Sequence, residues 1–404
     1  MIAKRSASTL TILVALLAFV SIGFPDAVLG VAWPSIRATF GLSRETLGAI
    51  LFASGTGYFA SGLVSGRAIE ALGLGRLLVL STTMASVGLF GYAIAPVFPV
   101  VLAMALLIGL SSGAVDAGLN FYAAENFSTR VMNLLHAFFG FGAMIGPFVM
   151  AAVISGGVSW RWGYAIVGSV VLLMAVTFLL TRSIWSVRHQ EGGEGAAREP
   201  SAPVAVIVRM PLVWLQVITF FFVTGVEFTA GSWGYKLLVE RLGIEAGLAG
   251  VWVGLYWGAM ASGRLLLGSL SRRLGDARLV RFSSWGMLFG ALLLTRDSAP
   301  LAIAGLTVFG LCEGPMFPTL MSLTPARLGS NVAMHAIGFQ VSAAVLGGAV
   351  LPTVAGLLSA RAGLGAIGWT VTAGVLVVIG LVLLLQQRAD APTTTPPVPI
   401  ESHA

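Results

Sequence analysis

Asp26, Asp116, Glu227 and Glu313 each sit inside a run of apolar residues long enough to cross a bilayer, for which about 20 suffice. A carboxylate in hydrocarbon costs about 2.5 to 3.5 kcal/mol on insertion scales, so four charged together would cost on the order of 10 kcal/mol, comparable with the stability of a whole domain. They must therefore be paired, hydrated or protonated. An acid whose surroundings alternate between wet and closed binds a proton in one state and releases it in the other. The chemistry these residues offer is reversible proton binding inside a membrane. The alternative at each position is a structural carboxyl tied to hydroxyls or backbone of a neighbouring helix, a reading that weighs most at Glu313.

Other residues could assist. His136 falls one span after Asp116 at similar depth, and imidazole titrates near neutral pH, so an ion pair or proton relay between them is one expectation and a packed structural histidine the other. His335 is expected to be structural. Arg264 could neutralise Glu227 or Glu313 or hold an anionic solute, or its stem could snorkel to the interface. Trp33, Tyr58, Phe138, Phe139, Trp233, Tyr256 and Trp257 offer aromatic faces to a solute, although the same residue types build interfacial belts and helix cores. The candidate proton-coupling residues are thus Asp26, Asp116, Glu227 and His136. The candidate solute contacts are Trp33, Phe139, Trp233, Tyr256, Trp257, Glu313 and Arg264. No GxxxxGK[ST], HExxH or GxSxG occurs, so neither nucleotide hydrolysis nor a membrane hydrolase is supported, and no metal or cofactor is expected.

The elements that must position these residues are transmembrane helices. The chain is 57% hydrophobic and only 10% charged, with mean hydropathy +0.93, where a soluble domain carries roughly 25% charged residues. Apolar runs predict twelve spans, near residues 9–34, 46–66, 77–95, 98–121, 131–155, 163–181, 211–235, 247–268, 279–295, 299–322, 333–357 and 365–385. With both termini cytoplasmic, 15 of the 23 Lys and Arg residues fall on the inner side, which favours that orientation. The net charge of +7 is then a topology signal, and no nucleic-acid partner is implied. The first apolar run is too long for a signal peptide and lacks a clear cleavage site. The single cysteine, Cys312, excludes an intramolecular disulfide, and the sequon at Asn126 falls on the cytoplasmic side, so it is read as chance.

The chain also repeats itself. Asp26 and Glu227 are 201 residues apart, each followed by Gly (Gly30, Gly231) and then Trp (Trp33, Trp233). Gly66 and Gly73 match Gly268 and Gly275, Gly109 and Gly113 match Gly310 and Gly314, and His136 matches His335, at offsets of 199 to 202. A duplication places substrate and coupling-ion sites at the interface of the two halves. The expected domains are a six-helix bundle over 1–181, a flexible cytoplasmic loop over 182–209, a second six-helix bundle over 210–385 and a disordered tail over 386–404.

The loop after span 2, GRAIEALGLGR from Gly66 through Glu70 and Gly73 to Arg76, resembles the cytoplasmic loop signature of the major facilitator superfamily. Glu70 stands where the family usually has Asp, and the second copy, GSLSRRLG from Gly268 to Gly275, has Arg272 in place of the acid. Trp160-Arg161-Trp162 before span 6 also looks like the family. Within it, NLLHAFFGFGAMIGP from Asn133 and GVEFTAGSW from Gly225 resemble the fucose permease branch of sugar:proton symporters. The resemblance implies an all-α membrane protein of twelve helices in two pseudo-symmetric six-helix bundles, with Gly66, Glu70, Gly73 and Arg76 as a cytoplasmic gating loop. It places Asp26 and Asp116 at the branch's two coupling acids. It departs in span 5, where His136 and Phe139 replace two sugar-contacting amides.

The expected function is secondary active transport of a small polar solute, a sugar foremost, by alternating access with proton coupling. The expected protein is a monomer in the cell membrane, not an enzyme. A proton-antiport efflux pump and a transport-inactive receptor are the alternatives.

Overall fold

A computed structural model describes residues 8–26, 28–42, 46–185 and 203–390. Among them there is helix and connecting turn and no strand. The first half comprises α1 (Thr9–Asp26), α2 (Val28–Phe40), α3 (Leu47–Leu72), α4 (Leu74–Ile94), α5 (Phe98–Asn126), α6 (Thr129–Ser155) and α7 (Trp160–Leu180). After a short α8 (Val204–Ile207), the second half comprises α9 (Pro211–Lys236), α10 (Ala246–Ser269), α11 (Ser271–Leu274), α12 (Asp276–Leu294), α13 (Ala299–Glu313), α14 (Met316–Ser322), α15 (Thr324–Leu328), α16 (Ser330–Ala362) and α17 (Gly365–Asp390). Among the described residues, eleven spans are long and apolar enough to cross a membrane, and α10, with 24 residues, stands in the place of the twelfth. These helices are apolar on all sides, as helices that face lipid on one side and packed helix on the other must be.

Two expected spans depart from uninterrupted helix, and the first carries an internal proline. Pro25 has no backbone N–H and so leaves one rung of the helical ladder unmade one residue before Asp26, within a first span that runs Thr9–Phe40. Pro315 does the same in span 10, which divides into α13 ending at Glu313 and α14. Span 7 runs from α9 into a wide turn of five residues, Leu237–Arg241. One of the four intramembrane acids, Glu313, therefore sits at a proline-broken helix end, the kind of discontinuity on which transporters build ion sites. At the C-terminus α17 continues through Asp390, beyond the expected boundary at 385, and Gln386 donates to the Ala277 carbonyl. Most of the expected loop, residues 186–202, and the tail from 391 lie outside the described residues.

The halves pack alike. In the first, α3 packs on α5, α1 on α6 and α4 on α7; in the second, α10 packs on α13, α9 on α16 and α12 on α17. These are the same three pairings under the duplication. The glycines matched in sequence do matching work: a Cβ on Gly109 or Gly113 would strike the Ser54 or Tyr58 carbonyl of α3, and one on Gly310 or Gly314 would strike the Tyr256 or Met260 carbonyl of α10. Small residues let the backbones touch where no hydrophobic force between helices exists in lipid. Gly73 (φ 76°, ψ 148°) and Gly275 (φ 80°, ψ 147°) make identical turns after α3 and α11 in a region closed to side chains.

The bundles meet along α3 with α16, α5 with α16 and α6 with α10. Their polar contacts run from the end bearing the central loop, here the loop end, to mid-helix. The Thr129 hydroxyl donates to Asp276 Oδ2 at 2.8 Å and lies 3.0 Å from Ser322 Oγ. Ser330 donates to Glu125 at 2.9 Å and Ser342 to the Phe59 carbonyl at 2.8 Å. Gly62 and Gly338 bring α3 and α16 into backbone contact, and Gly66 lies under the His335 ring, whose Nε2 is 3.8 Å from Glu70 Oε1.

Candidate functional site

The first half builds a polar chain across three helices. Asp116, on α5, is partly exposed; its Oδ2 accepts from the Tyr58 hydroxyl of α3 at 2.6 Å and its Oδ1 from Asn120 Nδ2 at 2.8 Å. Asn120, one turn on and fully buried, presents its Oδ1 to His136 Nε2 of α6 at 3.1 Å. The amide nitrogen is committed to Asp116, so its oxygen faces the histidine, and His136 Nε2 must carry the proton and donate. The His136 ring lies edge-on between Phe19 and Phe317, at 5.1 and 5.2 Å between centroids. Asp116 and His136 thus communicate through Asn120. A carboxamide conveys orientation but not a proton, so a direct relay between the two is not what the geometry offers.

The second half builds a tighter cluster. Glu227 (α9) and Glu313 (α13) are 6% and 0% exposed, and their carboxyls lie within hydrogen-bonding reach of each other. The Arg264 guanidinium (α10) stands beside them, with Nη2 4.0 Å from Glu227 Oε1. Its Nη1 donates to the His136 carbonyl at 3.1 Å and its Nε to the Gly314 carbonyl at 3.3 Å. Tyr256, fully buried, donates to the main-chain oxygen of Glu227 at 2.9 Å.

The expected site residues therefore fall into three groups. Asp116 and His136 join through Asn120, while Glu227, Glu313, Arg264 and Tyr256 join directly, and Arg264 links the groups through the His136 backbone. Trp33 is packed in the core formed by Phe24, Trp160 and Tyr164, and Trp233 donates its indole N–H to the Pro352 carbonyl at 2.9 Å, above Gly356. Phe139 is half-buried and Trp257 is 40% exposed beside Phe228. Asp26 ends α1, and its side chain lies outside the described residues. Gly66 and Glu70 meet His335 in the loop-end closure, Gly73 makes the turn that ends α3, and Arg76 is exposed. Sequence reasoning passed over Asn120. The signal was its place one helical turn after Asp116, on the same face.

The family model described as Major Facilitator Superfamily matches residues 15–329 and 235–402. Among curated relatives, the 3-(3-hydroxy-phenyl)propionate transporter of Escherichia coli is 28% identical, the match covering 89% of each chain. The glucose/mannose transporter GlcP of Bacillus subtilis is 20% identical over 96% of each. A crystal structure of the E. coli fucose:proton symporter FucP superposes with a TM-score of 0.80 at 16% identity, covering 94% of this chain and 99% of the other.

Proposed function

From the premise that the chain belongs to the major facilitator superfamily, we propose that it is a proton-coupled secondary transporter of a sugar, working by alternating access. One observation carries the coupling: Asp116, a partly exposed intramembrane acid with a donor on each oxygen, sits on α5 and is held by Tyr58 of α3, and these two helices meet α16 of the opposite bundle. A carboxylate at the seam between two moving bundles experiences a wet surrounding in one state and a closed one in the other, which is what proton cycling requires. Asp26, next to Pro25, is the second coupling acid of this reading. The resemblance to the fucose:proton symporter fold and the sugar-named relatives support the solute class. The protein acts as a monomer in the cell membrane with both termini cytoplasmic, so the loop end is the inner end and the molecule is closed inward.

A second reading, an aromatic carboxylate as solute, is favoured by the Phe19 and Phe317 rings against His136, and by His136 and Phe139 themselves standing in place of amides. The experiment is reconstitution into liposomes with a pH-sensitive dye inside, adding D-glucose, L-fucose or 3-phenylpropionate. Sugar-driven acidification that is lost in Asp116→Asn and Asp26→Asn, with counterflow exchange retained, is the expected result. Acidification by neither class of solute, or at the wild-type rate in both variants, overturns the reading.

A further inference from the structure

Glu313 is fully buried, and no donor group reaches either of its carboxyl oxygens. It closes α13, and because Pro315 has no N–H, the nearby Leu311 carbonyl lacks its helical donor. The main chain here offers acceptors, which repel a carboxylate. The neighbour within reach is the carboxyl of Glu227, itself 6% exposed. Two ionised carboxylates in contact repel strongly where little water screens them. A hydrogen bond between them exists only when one of them carries a proton.

The groups facing the pair limit its charge. Arg264 is the cation, 4.0 Å from Glu227, and its other donors are engaged with the Gly314 and His136 carbonyls. Tyr256 spends its hydroxyl on the Glu227 backbone, and the His136 ring faces Asn120. One guanidinium balances one negative charge, so neutrality of the buried cluster calls for one proton on the pair. The Arg264 bond to His136 crosses the seam, since Arg264 belongs to α10 and His136 to α6.

We propose that Glu227 and Glu313 share a single proton, forming a further proton site besides Asp116 and Asp26, and that Arg264 couples its occupancy to closure of the loop end. With that end closed, Arg264 is held toward the His136 carbonyl and the pair carries one proton and one negative charge. When α10 and α6 part, the carbonyl is withdrawn, the guanidinium turns onto both carboxylates, and the proton leaves to the water entering the seam. The pair cycles between one and two negative charges while Arg264 stays charged, so one proton taken up with the loop end closed is delivered when it opens. The inference rests on the transporter reading, but its test uses no sugar.

Infrared difference spectra of the full chain in lipid nanodiscs, stepped in pH, read the carbonyl stretch of a protonated carboxyl. The expected band survives Asp116→Asn and is lost in both Glu313→Gln and Glu227→Gln. Spin labels on Arg130→Cys and Arg273→Cys, both exposed at the loop end of opposite bundles, read the closure. Raising pH should lengthen their distance in the parent chain, and this response should vanish in Glu313→Gln. Arg264→Lys, which keeps the charge and loses the fork, should keep the band and lose the link between pH and distance. A band unchanged in both glutamate variants, or removed by sodium chloride at fixed pH, overturns the proposal, the latter by making the pair a sodium site. Failure of every sugar to drive transport would leave these readouts intact and would sink only the solute reading.

Discussion

At the scale of single residues, Asn120 decides how the first-half acid behaves. It donates to Asp116 and accepts from His136, so it holds both in register while insulating them from each other. A hydrogen bond to a charged group contributes about 1.5 to 3 kcal/mol, so Asn120→Ala should lower proton-driven uptake about tenfold to a hundredfold. Combined with His136→Gln, the losses should miss additivity by more than about 0.5 kcal/mol in a double-mutant cycle on uptake rate. Additive losses would mean that the chain does not act as a unit. The acids themselves were legible in the sequence as candidates, because a charge among apolar residues must be paired, hydrated or protonated and few arrangements allow it. Asn120 was not, since a lone amide in a span has many, and its partners lie 4 and 16 residues away on two different helices.

Among elements, the glycine-lined pairs α3 with α5 and α10 with α13 fix where the functional side chains stand. Tyr58 reaches Asp116, and Arg264 reaches Glu227 and the end of α13, because nothing thicker than a hydrogen separates the backbones. Gly310→Val should therefore force α10 away, with an overpacking cost of about 1 to 3 kcal/mol, and lower the midpoint of thermal unfolding in detergent. Gly254→Val, on a face with open space around the glycine, is the control and should leave the midpoint unchanged. Gly73→Ala and Gly275→Ala should each cost about 1 to 3 kcal/mol because the turn conformation excludes a Cβ. Much of this layer is readable in the residues alone: the matched glycines and the repeat at 201 residues imply paired helices. The break at Pro315 is readable too, yet hydropathy alone joins the segments, because an apolar average is blind to a missing backbone donor.

For the whole molecule, the charge bias gives a direct expectation. Gly193→Cys in the central loop should resist an impermeant thiol reagent in intact cells and react in inverted vesicles. Background labelling is low, because Cys312 is the single cysteine and is buried. Labelling in intact cells would reverse the topology and with it the assignment of the closed end. The loop-end closure also has a particular composition: Gly62, Ser65, Gly66, Thr129, Asn133, Gly268, Thr319, Gly338 and Ser342, with Glu70 and His335 at its edge. Apolar exposure raises heat capacity and polar exposure lowers it, by about +0.45 and −0.26 cal/K/mol per Å². A seam of glycines, hydroxyls and amides that opens to water therefore changes heat capacity little. Turnover limited by that opening would follow a straight Arrhenius line over tens of degrees, giving the carrier a switching enthalpy that is the same in the cold as in the heat.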